Sequence, residues 1–410
     1  MVYIKREIEK KLEQWLDSRE ILAIRGARQS GKTTLLMRIK DILKNKGVDK
    51  ERIHYISFED DITRIKFEEN VKEFIEFYMT SKKKHYFLLD EVQYIKDAGK
   101  KLKLVFDSFN NAKLIITGSS SFDLTNLGSY LVGRVIFFNL YPFSFLEFLR
   151  SKEKKYENLY KKLKINLDEK EIKLESTVFL DELNKYLHEY LTFGSYPRIV
   201  LEKDLNKKKE LLKNLFITYV EKDIVGMYGI KYREKVVKLL KAVAYTSGNV
   251  VNYETLSNNS EIKYHDVRNL LPLLEDSFVI FIVKPFYKNL MNELRKNPKI
   301  YFMDYGIRNY LLEKFENIVF DKLYENFVHN ELKRFYDIRY WRTTAKTEVD
   351  FVLTNKTLPI EVKIKPKITR SFRSFIQHYK PEKALILNLN NIDATEINRC
   401  KVYMLPFVYI

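Results

Sequence analysis

With one cysteine among 410 residues, Cys400, the chain can form no internal disulfide and no cysteine-based zinc site. It also lacks a membrane helix: no segment reaches the roughly 18 uninterrupted apolar residues that a span requires. The opening residues, Met1-Val2-Tyr3-Ile4-Lys5-Arg6-Glu7, contain no apolar stretch of the secretory kind, which points to a cytoplasmic protein. Glutamine is scarce while Lys, Glu and Ile are abundant, a balance that also suits a heat-adapted cytosol. Acidic residues are outnumbered, 55 against 73 Lys+Arg, for a net charge of +18. That excess points to a polyanionic partner, nucleic acid first and an anionic membrane surface second. What is present is a folding chain. Its hydrophobic fraction is 45%, apolar periodicity runs nearly end to end, and its length suffices for two or three domains with cores of their own.

Eight residues, Gly26-Ala27-Arg28-Gln29-Ser30-Gly31-Lys32-Thr33, fit G-x-x-x-x-G-K-[ST]. The glycines let backbone N–H groups turn inward around β- and γ-phosphates, where Lys32 adds a point charge. Thr33 offers its hydroxyl to Mg²⁺, and the helix starting here, through Thr34, aims its positive end at the anion. Before the loop lies the apolar run Ile21-Leu22-Ala23-Ile24, a buried strand. After it comes Thr34-Leu35-Leu36-Met37-Arg38-Ile39-Lys40, apolar at helical spacing. Arg28 reads as a solvated or packing residue within the loop. The implied ligands are ATP and Mg²⁺.

A second element supplies carboxylates. His85-Tyr86-Phe87-Leu88-Leu89-Asp90-Glu91 is an apolar strand ending in two acids, Asp90 for the Mg²⁺ shell and Glu91 to polarise the attacking water. A third strand, Ala112-Lys113-Leu114-Ile115-Ile116-Thr117-Gly118, runs into Ser119-Ser120-Ser121, and Ser119 or Ser120 is placed to orient water beside the γ-phosphate. Together with Val132-Gly133-Arg134-Val135 and Leu140-Tyr141-Pro142-Phe143-Ser144-Phe145, these motifs resemble an AAA+-type ATPase. More narrowly, the chain resembles bacterial and archaeal ATP-binding proteins whose ATPase precedes a C-terminal domain of unknown function. The resemblance implies an oligomer, plausibly a ring, in which a neighbour's arginine completes the site. Arg134 is the candidate finger, with a local ion pair as its alternative.

Between Pro142 and Tyr228 the pattern is helical and charged, and Lys152–Glu175 reads as a solvated helix or insertion with little apolar stripe. Gly194-Ser195-Tyr196-Pro197-Arg198 breaks the helices, and Arg198 is a candidate to reach nucleotide. Residues 233–287 read as three short helices and a β-wing, a winged helix. Lys263, His265 and Arg268 then face either a DNA major groove or a protein partner.

Further on, Glu348-Val349-Asp350-Phe351-Val352-Leu353 and Leu358-Pro359-Ile360-Glu361-Val362-Lys363 place an Asp on one strand and Glu-x-Lys on the next. Strand alternation puts Glu361 and Lys363 on one face. This arrangement resembles the PD-(D/E)XK nuclease fold. The resemblance implies Mg²⁺ at Asp350 and Glu361, Lys363 beside the attacked phosphorus, and a helical Glu, for which Glu325 is the candidate with Glu331 in reserve. The site serves either cleavage or binding alone. From Phe281 to Phe375 the chain carries 19 Lys+Arg and 11 Asp+Glu, a net +8 that suits a phosphodiester backbone. Tyr340 and Trp341 read as core residues or as base-stacking surfaces.

The expected architecture is α/β: a P-loop AAA+-type parallel sheet over 1–142, a helical lid with a charged insertion over 143–230, a winged helix over 231–288 and a restriction-endonuclease-like α/β domain over 289–410. The expected function is ATP-driven processing of DNA. The alternative is an ATP-dependent switch, for signalling or defence, with a non-cleaving C-terminal domain.

Overall fold

Short apolar strands alternate with amphipathic helices through the first 140 residues, a pattern that favours a parallel sheet buried on both faces. In the computed structural model, which describes residues 3–118, 129–219, 233–287, 293, 296–316, 321–343 and 347–410, that sheet is present. Its strands are β1 (Ile21–Arg25), β2 (Ile53–Ser57), β3 (His85–Asp90), β4 (Ala112–Gly118) and β5 (Val135–Asn139). They lie in the order β2-β3-β4-β1-β5, every pairing parallel. The accompanying helices are α1 (Glu9–Glu13), α2 (Lys32–Asn45), α3 (Asp61–Glu69), α4 (Val71–Tyr78) and α5 (Ala98–Ser108).

Alternating strand residues build the two sides of this unit. Leu22, Ile24, Leu88 and Ile115 meet Leu35, Leu36, Ile39 and Leu43 of α2. Ala23, Phe87, Leu89, Leu114 and Ile116 meet Leu102 and Val105 of α5. Burying each such side chain contributes about 1.5–3 kcal/mol, so the sheet is a rigid floor for whatever its strand ends carry. The carboxyl ends of β1, β3 and β4 adjoin, as in the crevice where parallel sheets bind ligands.

The chain divides into two compact units, one built on Met1–Phe143 and the other on Ser144–Val220, Ile230–Glu275 and Val279–Ile410. The helices expected as a lid thus cluster with the C-terminal unit. They are α6 (Phe145–Arg150), α7 (Lys154–Leu163), α8 (Leu180–Phe193), α9 (Pro197–Leu201) and α10 (Leu205–Tyr219). Ser144 and Glu147 form a capping box that starts α6. The expectation of a solvated 152–175 segment is corrected: Tyr156, Tyr160 and Leu163 form a buried stripe on α7. The Tyr160 hydroxyl donates to the Ile410 carbonyl, and Ile165 N donates to Tyr409 O at 2.8 Å. Dense Lys and Glu on the outer face obscured a stripe spaced i, i+4, i+7.

The Gly194–Pro197 turn is also structural. Gly194 has φ +84°, and a Cβ there would lie 2.4 Å from a carboxylate oxygen of Asp304. Asp304 accepts from Ser195 N at 2.6 Å and Ser195 Oγ at 2.8 Å. Arg198 stands exposed on the helix that follows.

Three helices follow, α11 (Arg233–Thr246), α12 (Tyr253–Ser260) and α13 (Tyr264–Asp276), and then two antiparallel strands, β6 (Ile280–Val283) and β7 (Lys299–Phe302). After α14 (Tyr305–Leu311) and α15 (Asp321–Lys333) come β8 (Ile338–Arg342), β9 (Glu348–Leu353), β10 (Leu358–Val362), α16 (Arg370–Tyr379), β11 (Lys383–Asn388), β12 (Asp393–Ile397) and β13 (Cys400–Pro406). The six-stranded sheet runs β12-β13-β11-β10-β9-β8. It is antiparallel at β8/β9/β10 and β12/β13, and parallel at β10/β11 and β11/β13. Trp341 and Tyr340 are buried, so core packing is their role. Among the described residues no helix is long and apolar enough to cross a membrane.

Candidate active site and a second acidic cluster

The Gly26–Thr33 loop leaves β1 and enters α2 as the motif requires. A Cβ on Gly26 would lie 2.2 Å from the Leu140 carbonyl oxygen, so only glycine fits there. Gly31 has φ +98° and Gln29 φ 58°, the left-handed conformations that curl the loop. Lys32 is buried and donates from Nζ to the carbonyls of Gly26 at 3.1 Å and Ala27 at 3.2 Å. Ser30 Oγ is buried and has no hydrogen-bond partner among the described residues. Arg28 is half-buried, and Thr33 and Thr34 are exposed at the helix start.

Asp90, at the tip of β3, faces this loop. Its Oδ2 accepts from Thr33 Oγ1 at 2.8 Å and from Tyr55 OH at 3.0 Å, and its Oδ1 accepts from Thr117 Oγ1. All three donors are neutral hydroxyls. Burial and the adjacent Asp90 carboxylate push the Tyr55 phenol up to about 12, so it stays protonated and keeps donating. Glu91 follows in a left-handed conformation, φ 56°; its N–H donates to Thr117 Oγ1 at 3.1 Å and its carboxylate accepts from Gln93 Nε2.

Two residues at this site escaped the sequence reading. Thr117, the penultimate residue of β4, links Asp90 to the Glu91 backbone; the candidate Ser119 lies outside the described residues, as does Ser120. Arg6 is buried and donates from Nη1 to Ser30 O at 2.9 Å and from Nη2 to Tyr141 O at 2.6 Å, with its guanidinium 4.9 Å from the Phe143 ring centroid. It ties the phosphate loop to the chain beyond β5. Arg134 pairs with Asp107 through Nε at 2.9 Å and Nη2 at 3.4 Å. Its carbonyl accepts from Ile21 N, at the end of β1 away from the loop.

These groups fit a magnesium nucleotide. Asp90 and Thr33 offer oxygen ligands with no cation paired to the carboxylate among the described residues, and Ser30 Oγ waits without a partner inside the cradle.

In the C-terminal unit β9 and β10 bring Asp350, Glu361 and Lys363 together. Lys363 Nζ lies 3.1 Å from Asp350 Oδ2 and 3.3 Å from Glu361 Oε1. Asp350 Oδ2 also accepts from Val362 N at 2.8 Å. Burial and the neighbouring Asp350 push the Glu361 carboxyl up to about 7, and burial together with Glu325 raises Asp350. Glu361 Oε2 is buried without a hydrogen-bond partner among the described residues.

Glu325, near enough to raise Asp350, is bound by other partners. Lys299 Nζ lies 3.1 Å from it, Lys322 Nζ 2.9 Å and Tyr301 OH 2.6 Å. Burial opposes its charge, but Lys299 and Lys322 outweigh that and keep it ionised. Glu331 is buried elsewhere, accepting from Phe145 N at 3.1 Å. Among the described residues no three His, Cys, Asp or Glu side chains converge on a point where a metal would sit. Asp350 and Glu361 thus meet at Lys363, while the carboxylate of Glu325 is taken up by Lys299, Lys322 and Tyr301.

Comparison with known proteins separates the two units in the same way. Residues 18–149 match the model of an AAA domain. That match and the geometry at Asp90 support an AAA+ ATP-binding protein. Residues 184–317 and 320–408 match two domains of unknown function, DUF8612 and DUF4143. The chain is 28% identical over 410 residues to an uncharacterized protein of Haemophilus influenzae, covering 95% of this chain and 94% of that one. An uncharacterized protein of Methanocaldococcus jannaschii is 29% identical over 409 residues, covering 96% and 85%. Among solved structures, AMPPCP-bound DnaA from Aquifex aeolicus aligns with 66% of this chain and 86% of its own, at 17% identity and a TM-score of 0.32, too low to add to the fold described.

Proposed function

We propose that this protein hydrolyses ATP at the Gly26–Thr33 loop and uses the cycle to remodel or move DNA. The observation that carries the proposal is Asp90, a buried carboxylate ringed by three hydroxyls beside Thr33. Lys32 is positioned to turn from its loop carbonyls to the phosphates, and Thr33 and Asp90 would hold Mg²⁺. When bound, the ion neutralises charge on the phosphate oxygens. Glu91 would take the proton of the attacking water, and Thr117, bonded to both acidic residues, would fix their separation. In an oligomer Arg134 would leave Asp107 for a neighbouring copy's γ-phosphate.

The DNA part rests on charge and exposure. Lys263, His265 and Arg268 are exposed around the start of α13, the third helix of a winged-helix-like succession. From Lys363 to Lys380 the chain carries six Lys and Arg and no acid. On α16, Phe372, Phe375 and Ile376 are buried, while Arg370 and Arg373 are exposed and Lys380 caps the helix. Such a face suits a phosphate backbone.

A second reading, a slow nucleotide switch, draws on Gln93, whose amide holds the Glu91 carboxylate and must release it before that group acts as a base. Steady-state ATP turnover with and without linear, branched and single-stranded DNA separates the two. Stimulation by DNA, lost in Lys32→Ala, supports the motor; slow turnover indifferent to DNA supports the switch; turnover unchanged in Lys32→Ala refutes both.

A further inference from the structure

We infer that Lys299 is the resident cation of the C-terminal acidic cluster, standing in for a divalent ion, so that this domain engages DNA without cutting it. The inference rests on the nuclease-like reading of β9 and β10, and it concerns a residue from outside those strands.

Lys299 opens β7, and its side chain is 0% exposed. Its ammonium bridges Glu325 Oε1 at 3.1 Å and Glu348 Oε1 at 2.7 Å. Two residues along the same strand, and hence on the same face, Tyr301 donates to the same Glu325 oxygen. Strand and helix are fastened together next to this pair: Asn326 of α15 accepts from Phe302 N at 3.1 Å and donates to Phe302 O at 2.8 Å. The lysine is thus built into the core and cannot swing away as a surface side chain would.

Among the described residues Glu325, Glu348, Asp350 and Glu361 are paired with Lys299, Lys322, Arg342 and Lys363, four acidic side chains with four basic ones. A divalent ion entering here would compete with ammonium groups already paired with its intended ligands, and further positive charge beside the fully buried Lys299 is what low-dielectric surroundings penalise. Of the fully buried oxygens of these four side chains, only Glu361 Oε2 lacks a hydrogen-bond partner among the described residues, whereas a hard cation takes about six oxygens. A basic surface over a neutral interior retains DNA contact while removing the means of activating water.

The test uses the full-length chain without nucleotide. Mn²⁺ uptake is measured by titration calorimetry for the wild type, Asp350→Asn, Lys299→Met and the double variant Lys299→Met/Glu325→Gln. Thermal melting with and without Mn²⁺, and nicking of plasmid DNA, are followed in the same samples. The expected result is identical Mn²⁺ uptake in wild type and Asp350→Asn, and no nicking. Lys299→Met should gain a melting temperature that rises with Mn²⁺, and the double variant should show no such dependence. Three results would overturn the inference: Mn²⁺ uptake or nicking in the wild type that Asp350→Asn abolishes, melting of Lys299→Met indifferent to Mn²⁺, or a rise with Mn²⁺ that persists in the double variant. Should Lys299→Met fail to fold, the comparison of wild type with Asp350→Asn decides alone. DNA binding by the wild type, read by anisotropy alongside, speaks only to the DNA part of the proposed function.

Discussion

Asp90 and Asp350 are both buried aspartates on strands of α/β sheets, yet their surroundings differ in kind. Asp90 is held by Thr33, Tyr55 and Thr117, whose hydroxyls orient the carboxylate, and no cation is paired with it among the described residues. Asp350 lies against Lys363, in a cluster where Lys299 and Lys322 take up Glu325. Hydroxyl partners can turn to accept or donate when a cation arrives; an ammonium has only donors and must leave. On the proposed reading the counter-groups, more than the acids themselves, set which cluster is open to a metal.

The largest effect that would break this comparison is at the phosphate loop. Lys32→Ala should lower ATP turnover by about 100-fold or more, as removal of a charge-stabilising group does, with an unchanged melting curve. Glu91→Gln should reduce turnover by about 10²-fold or more, as loss of a general base does, while nucleotide binding measured by fluorescence persists. Thr117→Val, which removes the bond to Asp90 and the acceptor for Glu91 N, should cost about tenfold in turnover, the worth of one hydrogen bond to a charged group. Arg6→Met should weaken ATP binding and lower the melting temperature, since Ser30 O and Tyr141 O lose their shared donor. Retention of full affinity in that variant would show that the loop holds its shape alone.

The smallest effect is a pH dependence within the N-terminal unit. His54 Nε2 lies 3.0 Å from His85 Nδ1, and burial, with His85 beside it, lowers its pKa to about 4. Below pH 6.5 the unfolded chain takes up a proton that folded His54 refuses until about pH 4. Its contribution to stability is therefore complete above 6.5 and is lost as the pH falls toward 4. His54→Phe, packed against Phe87 and Tyr78, should flatten the melting temperature across that window.

Much of the first site was legible because its chemistry is contiguous: the loop, the following helix and the Asp90-Glu91 strand end each declare themselves within a few residues. Thr117 was less so, since its importance comes from β4 lying between β3 and β1, and the serines after it drew the reading onward. Arg6 carries no local signal; its contact with Ser30 arises from tertiary packing alone. In the C-terminal unit Asp350, Glu361 and Lys363 were visible through strand alternation and do meet. Lys299, the proposed resident cation of that cluster, lies some fifty residues upstream on another strand. Only its two-residue spacing from Tyr301 hinted that both face one way.

The most direct test of the contrast sets Asp90→Asn beside Asp350→Asn in one assay of ATP turnover in Mg²⁺. The account predicts that the first loses turnover and the second retains it. Equal loss in both, or turnover that survives in Asp90→Asn, would contradict it.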